Sequence, residues 1–158
     1  MADVPTRYFL GTAQTVINTS TDIAAGNFSG APAATFDNTS DSAVPYATHA
    51  LAMLEAPDWA AAPVAGTVVS LWGVLLDTDG TDDDTDAPSG TASGGGRFFG
   101  AWVIAAADAL QRRTINIDLT GCNKVDFYIQ NGTAQNMNND GGTNAVVKIT
   151  PFALGVTV

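Results

Sequence analysis

Between Gly66 and Leu76 the chain reads GTVVSLWGVLL, an apolar run of strand length in which neither alternate set of positions is polar. Val68, Val69, Leu71, Trp72, Val74, Leu75 and Leu76 are β-branched, aliphatic or aromatic. The run therefore predicts a strand covered on both faces in a sandwich core. Elsewhere the period is two. Ile115, Ile117 and Leu119 alternate with Asn116, Asp118 and Thr120, and Val125, Phe127 and Ile129 alternate with Asp126, Tyr128 and Gln130. Phe98, Gly100, Trp102 and Ile104 alternate in the same way with Phe99, Ala101 and Val103. Val146 to Thr150 predicts a last strand, ended by Pro151 and Phe152.

His49–Ala56, HALAMLEA, reads two ways. Its residues are good helix formers, with Thr48 to cap and Pro57 to stop a helix of only two turns. As a strand, His49, Leu51, Met53 and Glu55 alternate with Ala50, Ala52, Leu54 and Ala56, and this reading is preferred. Ala13 to Asp41 carries isolated apolar points among Thr, Ser and Asn, broken by Gly26, Gly30 and Pro32, which predicts short strands and turns. Residues 57–66 form a proline-punctuated connector. Asn131-Gly132 follows a strand directly and predicts a hairpin turn. Many short strands with almost no helical period predict an all-β fold, an antiparallel β-sandwich of jelly-roll type. It spans 1–158 as one domain, with 1–12 as an N-terminal arm or edge strand.

At 158 residues such a domain buries its core without staples, and the single cysteine, Cys122, leaves no intrachain disulfide. Six basic residues against sixteen acidic ones give a net charge of −10. So few cations cannot neutralise a row of phosphates, which excludes nucleic-acid and anionic-membrane partners. The start shows no basic stretch followed by an apolar one, so no secretory signal is expected. No apolar run reaches the roughly 20 residues that a membrane helix needs. The Asn-x-Ser/Thr triplets at Asn18, Asn27, Asn38 and Asn131 carry little weight without such a signal.

Candidate chemistry is sparse. The apolar run ends in an acidic loop with Asp77, Asp79, Asp82, Asp83, Asp84 and Asp86. Crowded carboxylates must stay in water or hold a hard cation. Asp77, Asp79, Asp82 and Asp84 are the candidate calcium ligands. Gly80 comes too early and Thr81 replaces a ligand for an EF-hand, so a solvated loop without metal is preferred. His49 is the one histidine, and no Gly-x-Ser-x-Gly elbow accompanies it. Cys122 follows Gly121 in a turn and reads as structural. The glycines at 94–96 match no phosphate loop and read as a floppy tip. Trp72 and Trp102 lie in apolar strands and belong to the core, whereas Trp59, in the connector, is the candidate exposed aromatic. No catalytic group and no cofactor are expected.

Four segments, VVSLWGVLLDTDGTDDD (68–84), QRRTINIDL (111–119), KVDFYIQNGTAQ (124–135) and VKITPF (147–152), together resemble capsid decoration (cement) proteins of tailed bacteriophages. The resemblance spans residues 66–152, with Ala134 where that pattern has glycine. It implies a non-enzymatic jelly-roll subunit that forms a homotrimer on the outer surface of the virion and bridges copies of the major capsid protein. Arg7, Tyr8 and Phe9 of the arm, together with Trp59, are the contact residues expected, the arm ordering on its partner. The rival reading is a tail- or fibre-associated module that binds glycan through an exposed Trp59.

Overall fold

The computed structural model describes residues 6–76, 87–137 and 143–156, of which 6–8 and 154–156 are described by backbone alone. Among them lie nine strands and no helix: β1 (Thr6–Leu10), β2 (Gln14–Thr19), β3 (Phe36–Asp37), β4 (His49–Ala56), β5 (Val68–Leu76), β6 (Arg97–Val103), β7 (Gln111–Asp118), β8 (Lys124–Asn131) and β9 (Ala145–Val156). The pairing is nested and antiparallel: β5 with β6, β4 with β7, β3 with β8, β2 with β9. A chain paired this way is one long hairpin. Rolled up, it forms two sheets, one ordered β1-β9-β4-β7 with β2 also on β9, the other β3-β8-β5-β6. This is the jelly-roll arrangement that the strand pattern predicts.

The core lies between sheets that contribute unlike side chains. β4 turns Ala50, Ala52, Leu54 and Ala56 inward, all fully buried, which settles this segment as a strand. The second sheet supplies the bulk, with Phe36, Phe127, Phe99 and Trp102. Phe127 packs edge-on against Phe36 and Phe99, with centroids 5.9 and 5.0 Å apart. The alanines let Trp102 cross the gap, where its Nε1 donates to the Ala52 carbonyl at 3.1 Å. Large rings opposite small residues fill the layer without voids.

A β-bulge changes the expected pattern in β6. Leu71 pairs with Gly100 but Trp72 with Phe98, so Phe99 is the extra residue. The slip puts Phe99 and Trp102 inside together and leaves Phe98 outside, where simple alternation grouped Phe98 with Trp102. Glycine at 73 makes room for this, since a Cβ there would lie 2.8 Å from the Phe99 ring and 2.5 Å from Val125 Cγ1.

Three further expectations are corrected. Asn131-Gly132 forms no hairpin, for β8 and β9 lie in different sheets. Asn131 is buried and turned inward, where Nδ2 donates to the Ile23 and Gln135 carbonyls and Oδ1 accepts from the Thr133 N–H and hydroxyl. Gly132 is needed for closeness, because a Cβ would come 2.8 Å from the Val68 carbonyl oxygen. Pro151 does not end the last strand, which runs to Val156. Its backbone faces the β1–β2 corner, where its carbonyl accepts from Gly11 N–H at 2.8 Å, so its missing donor takes no bond from the β4–β9 ladder. The glycines at 94–96, expected as a floppy tip, lie in a turn closed by Gly96 N–H donating to the Ser93 carbonyl at 3.0 Å, and a second turn precedes it. Ser89 and Ala92 bond reciprocally, and Gly90 accepts from Phe28 N–H at 2.7 Å.

Candidate functional site

β4 accompanies β9 only as far as the pair His49–Phe152. Beyond it, Ala153 to Val156 pair, among the described residues, with Phe9 to Thr6 of β1 alone. The two end segments thus leave the sandwich as a ribbon two strands wide. At its root Leu10, Phe152, His49 and Asp118 stand in one row across β1, β9, β4 and β7. The His49 ring lies 5.8 Å from that of Phe152, and its Nδ1 is 2.9 Å from Thr48 Oγ1. Phe9 is 45% and Leu10 59% exposed. Tyr46, 65% exposed, sits in the adjoining loop with a left-handed φ of 55°, unusual for a bulky residue.

The corner that launches this ribbon is tied to the sandwich by one carboxylate. Asp41 accepts from Thr12 N–H through Oδ2, and from the Ala43 and Val44 N–H groups through Oδ1 at 2.8 and 3.2 Å. The Thr12 bond and its companions hold the Asp41 carboxyl below the usual carboxylate range. Gly11 permits the approach, since a Cβ would fall within 2.7 Å of Asp41, Val44 and Pro151. Asp118, in the root row, is likewise lowered, by the Thr120 hydroxyl and N–H. The chain passing from β1 to β2 thus has its direction set at this corner.

The expected contact residues are divided by the fold. Arg7, Tyr8 and Phe9 lie on β1, opposite Gly155, Leu154 and Ala153, so the arm is paired within its own chain. Trp59 is not an exposed platform. It is 2% exposed and bridges Met137, and its backbone N–H donates to Asp108 Oδ1 at 2.9 Å. Its Nε1 is buried without an acceptor, a cost of roughly 1–3 kcal/mol that the buried ring must offset. The aspartates at 77, 79, 82, 83, 84 and 86 lie outside the described residues.

The remaining titratable groups are dispersed. Cys122 is buried, burial raises its thiol pKa, and Arg97 Nη1 lies 3.6 Å from its sulfur. Among the described residues no three His, Cys, Asp or Glu side chains stand close enough to hold a metal ion. The pattern reading missed two features. One is Asp41, whose value lies in backbone donors that no spacing reveals. The other is an aromatic row on the outside of the second sheet, where Trp72 meets Phe98 at 5.4 Å and Phe28 at 5.8 Å. Comparison with protein-family models, curated proteins and solved structures found no match for this chain.

Proposed function

We propose that this chain is a non-enzymatic structural protein of a tailed-phage virion, which binds the outer surface of the major capsid protein as a homotrimer. The terminal ribbon carries the proposal. Two strands without a third are marginal in water, and this pair leaves the sandwich with apolar side chains uncovered at its root. A capsid surface that covered Phe9 and Leu10 would stabilise both, by about 1.5–3 kcal/mol for each side chain fully buried. Jelly rolls serve widely as viral capsid and lectin domains, which agrees with the reading without choosing between the two. The resemblance of four of its segments to decoration proteins favours the capsid. A net charge of −10 would keep decorated heads apart in solution.

The test is occupancy of purified phage heads by the full chain and by a variant lacking residues 2–9, which retains the Gly11–Asp41 corner. Loss of occupancy by at least about tenfold, with the sandwich still folded, is the expected result. The double variant Phe9→Ser, Leu10→Ser should weaken binding in the same direction. Undiminished occupancy by both variants overturns the proposal. Light scattering of the free protein reads the trimer directly.

A further inference from the structure

We propose that the outer face of the second sheet is a binding site for a neutral sugar chain, stacked on Trp72 and Phe98. This surface is separate from the terminal ribbon, and the inference stands apart from the capsid reading. Trp72 on β5 is directly opposite Phe98 on β6 and Tyr128 on β8, so three aromatic residues form one cross-strand row. The row is covered at one end only. Phe28, tied to the turn at Gly90, closes over Tyr128 and Val74, and both Phe28 and Tyr128 are buried. At the β6 end the cover stops. Trp72 is half-buried and Phe98 is 53% exposed.

The rings are fixed in place. Phe98 of β6 and Phe28 of the connection between β2 and β3 both pack against Trp72, tilted 65° and 75° from the indole plane. Such edge-to-face packing holds an exposed ring without the ordering cost that a free side chain incurs on binding. The Trp72 Nε1 is buried with no acceptor, so the indole offers ring surface rather than a hydrogen bond.

The next row on the same face is Ala101, Ser70 and Gln130. It lies two residues along β5 and β8 and, across the bulge, three along β6, roughly 7 Å away. An aromatic row beside the Ser70 hydroxyl and the Gln130 side-chain oxygen, whose Nε2 donates to the Gly26 carbonyl at 3.2 Å, matches a pyranose ring, which has an apolar C–H face and a rim of hydroxyls. The small Ala101 keeps the second row low. Neither row contains a charged side chain, and the net charge of −10 opposes an anionic chain. An uncharged oligosaccharide is the ligand that meets both conditions.

The experiment titrates the full chain with maltohexaose, cellohexaose and chitohexaose by calorimetry, with tryptophan emission as a second readout. Trp59 and Trp102 are 2% and 1% exposed, so a ligand-dependent change in emission reports Trp72. One of the probes should bind with a Kd between about 10 μM and 1 mM. Phe98→Ala should weaken binding at least about tenfold, and Ser70→Ala roughly threefold, with the unfolding midpoint kept in both. Deletion of residues 2–9 should leave sugar affinity unchanged, so failure of the capsid reading would be seen separately. Absence of binding by all three probes up to about 10 mM overturns the inference. So does binding that Phe98→Ala leaves untouched.

Discussion

On the outside of the first sheet the cross-strand rows read Lys148, Met53, Thr114 and then Thr150, Leu51, Asn116. On the outside of the second sheet Phe98, Trp72 and Tyr128 stand together, and Phe28 closes over part of the row. The first is an ordinary solvated face, with single apolar side chains among polar ones and none of these six residues buried. The second is a small core outside the main one, built where Phe28, from the connection between β2 and β3, bridges Gln130 of β8 and closes over Val74 and Tyr128. Its cover ends before β6. One face therefore tolerates change, and the other combines a rigid packed part with an uncovered aromatic edge. Rigidity beside exposure is what a stacking surface needs.

That contrast is open to measurement. Phe28→Ala, which uncovers Val74 and Tyr128, should cost about 3 kcal/mol in denaturant unfolding. Met53→Ala, on the first sheet's face, should cost less than about 1 kcal/mol. Equal losses would mean that the outer aromatic cluster is not a core at all.

The first sheet should fail differently, through its polar ties. Asp41→Ala leaves the Thr12, Ala43 and Val44 N–H groups without their acceptor and should cost about 2 kcal/mol. Acid should have the same direction. Asp41, Asp118 and Glu55 all have lowered pKa values, from backbone donors, from Thr120 and from Arg112 respectively. A carboxylate lowered in the folded state stabilises it above the unfolded pKa of about 4, and this is lost as pH falls through the folded value. Hydrogen exchange below about pH 4 should therefore release β1 and β2 amides before those of β5 and β8. Simultaneous release of both sheets would show that the ties do not act locally.

The smallest effect is expected at the Glu55–Arg112 ion pair, 2.8 Å long but with an arginine side chain 64% exposed. Glu55→Gln should leave the unfolding midpoint almost unmoved, because water and salt screen such pairs. A clear loss would make the outer face of the first sheet more structured than its rows suggest.

Much of the architecture was legible in the chain. Period-two alternation located β7 and β8, and the doubly apolar run located β5, because a strand's two faces are written directly into neighbouring residues. Even the helix-forming HALAMLEA segment resolved correctly as a strand once its residues were read as two alternating sets. Local signals misled where a residue's role depends on distant partners. Asn131-Gly132 has the composition of a turn, yet Ile23 and Thr133 draw the asparagine inward. The bulge at Phe99 reversed the faces of half a strand, since one extra residue inverts every later position.

Sequence alone thus determined the all-β class, the places of β5, β7 and β8 along the chain and the acidic balance of its charge. Those are properties of short windows and of summed composition. Tertiary structure alone decided which tryptophan is covered. Trp59 lies in a polar, proline-marked connector but is sealed by Met137 and Asp108, nearly 80 and 49 residues away. Trp72 lies in the most apolar strand, yet the cover over its outer face ends at Phe28 and leaves the β6 side open. Burial is a sum over neighbours brought together by the rolled hairpin, and those neighbours are remote in sequence. No local pattern carries that sum.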